Sequence, residues 1–128
     1  LSNYAKDMMQ KIEFSKNTEH LNLLRLTVGD LGFPRGATTD EIYARAELLG
    51  LELCPAETGP YMRLQYLDQP NDEYFRIAMK QIPDRDGDPG VFYLRRFDGA
   101  LWLFYSWAFP DDRWNSDSKF VFRLRKKS

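Results

Sequence analysis

Residues 91–107 read VFYLRRFDGALWLFYSW, two apolar runs separated by the dipeptide Asp98-Gly99. A two-residue Asp-Gly link takes left-handed backbone at both positions, and the resulting twist suits antiparallel strands, so the segment predicts a β-hairpin. Ahead of the turn, Phe92 and Leu94 alternate with Val91, Tyr93 and Arg95, the period of a strand with one buried face. Beyond it, 101–109 (LWLFYSWAF) is apolar on both faces. That pattern predicts a strand that is central, under a helix, or both.

The same alternation recurs outward from the hairpin. Phe75, Ile77 and Met79 alternate with Tyr74, Arg76, Ala78 and Lys80, and Phe120, Phe122 and Leu124 with Val121, Arg123 and Arg125. Met62, Leu64 and Tyr66 alternate with Tyr61, Arg63 and Gln65. Strands are therefore expected at 61–67, 74–82, 91–97, 101–109 and 119–126, joined by turn-forming stretches at 68–72 and 83–90. Residues 21–28 and 51–54 read as short extended segments, and Thr27 with Asp30 suggests a helical turn over 28–32. One helix is expected at 39–49. Thr38 and Glu41 form a capping box, Ile42, Ala46 and Leu49 make a stripe, and Gly50 suits the left-handed stop. The expectation is a single α+β domain at 21–128 preceded by an arm or short helix at 1–20. Its sheet has about five mainly antiparallel, meander-like strands, with the 39–49 helix packed on one face.

The 128 residues carry 18 Lys+Arg against 19 Asp+Glu, a net charge of −1, which gives no global pull toward polyanions or acidic membranes. One cysteine excludes an intramolecular disulfide framework and cysteine-rich zinc modules, and one histidine gives little to His-based catalysis or metal binding. There is no P-loop and no GxGxxG, so no cofactor is expected. No apolar run reaches the roughly 18 residues of a membrane span, and the charged N-terminal stretch lacks a signal-peptide core. The expected setting is the cytoplasm, with no membrane partner. The start at Leu1 lends weight to a piece of a longer reading frame.

Charge is locally segregated. The five expected strands hold nine bases and no acid, whereas the acids collect in the helix, turns and ends. Strict alternation would put Arg63, Arg76, Lys80, Arg95, Arg123 and Arg125 on one face with Tyr61, Tyr74 and Tyr93. Such a face can hold phosphates and stack bases; Arg, Lys and Tyr also suit the wet face of any antiparallel sheet. Asp84, Asp86 and Asp88 resemble the start of a calcium loop, but Pro89 and Arg95 stand where that loop needs Gly and Glu, so no metal is expected. Cys54 and His20 are the available thiol–imidazole pair, and Cys54, before Pro55 in an apolar stretch, reads as a buried thiol. Trp102 and Trp107 have opposite parity, which predicts one in the core and one partly covered. Trp114, in a polar loop, is the tryptophan expected to show or to lid the core.

Residues 50–70, GLELCPAETGPYMRLQYLDQP, carry a resemblance. With Leu31-Gly32-Phe33, Gly36-Ala37-Thr38 and Glu41-Ile42 before them, and Ala78-Met79, Asp86-Gly87, Trp102, Trp114 and Phe120-Val121-Phe122 after, they resemble a family of small bacterial proteins. That family shares a GLELCPAE-GP-LRLQY-DQP string. The match covers about residues 24–125, and Tyr61 occupies a variable place in it. The resemblance implies a compact unit but no catalytic residue, for the family has no established activity. It draws attention to Glu57, Arg63, Gln65, Asp68 and Gln69, the polar members of 54–70.

The functional expectation is a binding or interaction domain whose Arg/Tyr face takes an anionic ligand or a protein partner, with a homo-oligomer allowed. A small enzyme using Glu57 or Asp68 as base and Cys54 as nucleophile is the alternative, and a structural accessory domain of a longer protein is a third.

Overall fold

The computed structural model describes residues 3–11 and 21–125. Its helices are α1 (Asn3–Gln10), α2 (Thr39–Leu48) and α3 (Thr58–Gln65), with a 3-10 turn at Gly29–Leu31. Its strands are β1 (Leu23–Thr27), β2 (Ala37–Thr38), β3 (Leu51–Glu52), β4 (Tyr74–Ile77), β5 (Ile82–Pro83), β6 (Pro89–Phe97), β7 (Ala100–Trp107), β8 (Arg113–Trp114) and β9 (Lys119–Leu124). His20, the Lys126–Lys127 tail and residues 12–20 of the expected arm lie outside the described residues.

The hairpin forms where its turn chemistry puts it. Asp98 and Gly99 take φ of 50° and 78°, and Phe97 pairs with Ala100 to set an antiparallel register that runs to Gly90 opposite Trp107. The chain makes a mixed seven-stranded sheet, with β9 between β1 and β4, β6 beyond β4, and β7 on the far side of β6. β2 and β8 pair separately. Every pairing is antiparallel except β4 with β9. The fold is α+β and a single domain, and no helix among the described residues is long and apolar enough to cross a membrane.

Several expectations need correction. The strand expected at 61–67 is helix α3. Its inward residues are Gly59, Met62, Arg63 and Tyr66, at i, i+3, i+4 and i+7, while Leu64 stands 71% exposed. Met62 and Tyr66, four residues apart, fit either period, Leu64 fits the strand alone, and Pro60 is tolerated because it lies in the first turn. Gly59 permits the approach, since a β-carbon there would lie 2.9 Å from Phe92 Cβ.

The meander is also replaced. β9 leaves the hairpin neighbourhood and inserts between β1 and β4, where Phe120, Val121 and Phe122 at its middle are buried on both faces. Phe120 and Phe122 enter one core cluster and Val121 the other. β7 is instead an edge strand covered on one face by α1 and α3. Its tryptophans depart from expectation accordingly: Trp102 is half-buried and Trp107 is 54% exposed. The segment expected as 74–82 breaks at 78–81 into β4 and β5, which leaves Lys80 exposed outside any strand.

Two layers of side chains hold the sheet. On one face Phe75, Ile77, Phe92, Leu94, Leu103 and Val121 pack with Ala5 and Met8 of α1. On the other, Ile42 and Ala46 of α2 cover Phe120 and Phe122 together with Val28, Leu31 and Leu51. Leu49 falls past this stripe and is exposed, and Gly50 takes the left-handed stop at φ 84°. At the other end of α2, Thr38 Oγ1 accepts from Glu41 N at 3.2 Å and Thr38 N donates to Glu41 Oε1 at 2.9 Å. Thr38→Ala leaves one of these donors unsatisfied and should lower stability by about 1 kcal/mol, read as a shift in the urea midpoint with an unchanged slope.

Candidate functional site

The register of the hairpin builds the face. Cross-strand pairing sets Tyr74 beside Arg95 and Arg76 beside Tyr93, then Arg95 beside Trp102 and Tyr93 beside Phe104. These six residues therefore share one side of β4, β6 and β7. The Arg95 guanidinium lies 5.5 Å from the Tyr74 ring centre and 5.0 Å from that of Phe97. Arg76 sits deeper, 4.6 Å from the Trp114 ring and 5.5 Å from Tyr93, with its Nε donating to Ser106 Oγ. Burial draws the Arg76 guanidinium below its ordinary range, although an arginine stays charged at neutral pH. Phe104 stacks between Trp102 at 5.4 Å and Tyr93 at 5.1 Å.

No carboxylate belongs to this side of the three strands. Among the described residues neither Arg76 nor Arg95 makes an ion pair, and the Arg95 Nε is buried without a hydrogen-bond partner. α2 covers the β9 part of this side, whereas α1 and α3 pack on the opposite side through Tyr105, Phe92 and Leu103. Tyr74 and Phe97 remain 48% and 52% exposed.

Of the residues expected on one face, Arg76, Arg95, Tyr74 and Tyr93 come together. Tyr61 and Gln65 are exposed on α3, and Asp68 is exposed in the turn after it. Glu57 is half-buried just ahead of α3. Arg123 points the other way, because Arg76 pairs with Phe120 and Arg123 is out of phase with that residue. It bonds Glu52 at 3.3 Å, and Arg125 approaches the same carboxylate at 3.6 Å. Trp102, Phe104, Ser106 and Trp114 join the face unforeseen. The first three follow from counting back along both strands from Phe97 and Ala100. Trp114 has no such signal; its indole N–H reaches Thr39 Oγ1, and it lids the core against Phe120.

Arg63 and Gln69 have a different task, behind the face. Arg63 Nη1 donates to Gln69 Oε1 at 2.6 Å and to Trp102 O at 3.1 Å, and Nη2 donates to Tyr66 O at 2.6 Å. Gln69, fully buried, passes the bond on from Nε2 to Glu73 O. Arg96 holds the same loop from the hairpin, through its Nη1 to Gln69 O.

Of the residues that the enzyme alternative names, Cys54 is the one enclosed in the core, while Glu57 is half-buried and Asp68 exposed. Cys54 is buried, its thiol donates to Val121 O, and burial pushes it up to about 12 against a smaller opposite pull from Arg123. In the 84–88 turn, carboxylate oxygens of Asp84, Asp86 and Asp88 lie within 4.8 Å of one another. Asp84 is occupied as an acceptor there, with Oδ1 taking Asp86 N and Asp88 N and Oδ2 taking Trp107 Nε1. Compared with protein-family models, curated proteins and solved structures, the chain finds no match, and the geometry carries the functional reading alone.

Two measurements test these assignments. Arg63→Met strips donors from Gln69 Oε1, Tyr66 O and Trp102 O, so it should cost about 3 kcal/mol in urea denaturation. Arg63→Lys should restore little of that, since an ammonium lacks the planar fork. Cys54 should react slowly with a thiol reagent in the native state, through mildly alkaline pH, and fast once unfolded. Native labelling as fast as in urea would show the thiol open.

Proposed function

We propose that the protein is a binding module whose open β4–β6–β7 face receives an anionic ligand or partner. One observation carries the reading: two cations, Arg76 and Arg95, lie among aromatic rings on a face without a carboxylate. A guanidinium on a wet surface usually has an acid near enough to offset its charge. Here neither has one among the described residues, and the rings restrict the water around both. An incoming anion is the group that best complements such a face. A cytoplasmic setting fits this reading.

The test is fluorescence anisotropy at low salt with three labelled polyanions: heparin, polyphosphate and a thymine-only single-stranded oligonucleotide. At least one should bind, and Arg95→Ala should weaken it roughly tenfold, the equivalent of one charge-assisted hydrogen bond. The substitution is on the wet side and should leave the urea midpoint nearly unchanged. No binding by any of the three, or equal binding by the variant, refutes the proposal.

A further inference from the structure

We infer that the anion this face takes is a single-stranded nucleic acid, a step that rests on the proposed anionic-ligand reading. The composition of the face decides between classes of polyanion. It offers two cations, Arg76 and Arg95, to five rings: Tyr74, Tyr93, Phe97, Trp102 and Phe104. Polyphosphate or a sulfated glycan brings dense charge and no flat apolar surface. It would cover the rings with nothing to stack on them and find only two partners for its charges. A single strand brings one planar base with each phosphate, and every base has a face that an aromatic ring accepts. A duplex keeps those faces stacked on one another and out of reach.

The arrangement of the exposed rings fits the same class. Tyr74 and Phe97 are the most exposed aromatic rings of the face, and both contact the Arg95 guanidinium, at 5.5 Å and 5.0 Å. Tyr74 is the cross-strand partner of Arg95. Phe97 follows Arg95 by two residues on the same side of β6, about 7 Å along the strand. The trio thus presents one phosphate-binding group between two stacking platforms. Behind it, the Trp102–Phe104–Tyr93 stack extends the apolar floor toward Arg76, which has its own ring contacts and Ser106 Oγ. With two cations as the phosphate contacts, the slope of log affinity against log salt should be about −1.4, shallow for a polyanion binder.

Anisotropy titrations of the full chain separate this inference from the reading beneath it. The probes are a labelled thymine-only oligonucleotide, an abasic strand of equal length, the corresponding duplex and heparin. The thymine strand should bind at least tenfold more tightly than the abasic strand or the duplex, with the shallow salt slope. Phe97→Leu, which keeps an apolar side chain without a stacking face, should lose most of that preference, and Phe97→Trp should keep it. Tyr74→Ala should act as Phe97→Leu does, with far-UV circular dichroism unchanged in all three. Abasic strand or heparin binding as tightly as the thymine strand overturns the inference and leaves the anionic face standing. If none of the four probes binds, both fall.

Discussion

A guanidinium taken out of water without a counter-ion must be surrounded by neutral acceptors, and Nη1 and Nη2 of Arg63 meet that demand by gathering three parts of the chain, while its Nε is buried without a partner. The carbonyl of Tyr66 closes the end of α3, Gln69 supplies the loop that follows, and the carbonyl of Trp102 supplies the hairpin. The loop is then held from the far side by Asp72 N to Arg96 O, Arg96 N to Glu73 O and Gly99 N to Asn71 Oδ1. Truncating the arginine would take a donor from Gln69 Oε1, Tyr66 O and Trp102 O in a region that admits little water. The consequence reaches the other side of the sheet. Trp102, whose carbonyl Arg63 holds, projects its ring on the open face beside Arg95, so the buried cation fixes the backbone from which the exposed cation and its rings extend.

The open face exists because the helices are distributed unevenly. Phe92, Leu94 and Leu103 form an apolar surface that α1 and α3 bury. On the reverse, α2 is anchored over Phe120 and Phe122 at the β9 end, and its ten residues end there. Apart from the Trp114 ring over Arg76, the β4–β6–β7 part of that side is left to its own side chains. Rings stacked on rings and guanidinium groups laid over rings let these strands keep a largely aromatic surface in contact with water.

Local chemistry was legible in the sequence wherever a few neighbouring residues decide the outcome. Asp98-Gly99 specifies the hairpin turn because both positions need left-handed backbone, and Thr38 with Glu41 starts α2 because each satisfies the other's backbone amide. Alternation on β4 and β6 also placed Tyr74, Arg76, Tyr93 and Arg95 together, since strand parity follows from the chain alone. What tertiary structure decided was everything that depends on the partner. Met62 and Tyr66 fit either period, and it is the surface of Phe92 against Gly59 that makes 58–65 a helix and turns Arg63 inward and Leu64 outward. Parity within β9 says nothing about which of its sides meets α2; pairing with β4 sets that, and so separates Arg123 from Arg76. Periodicity is a property of a segment, whereas side, neighbour and burial belong to the contact between segments, and a contact is specified only when the whole sheet has closed.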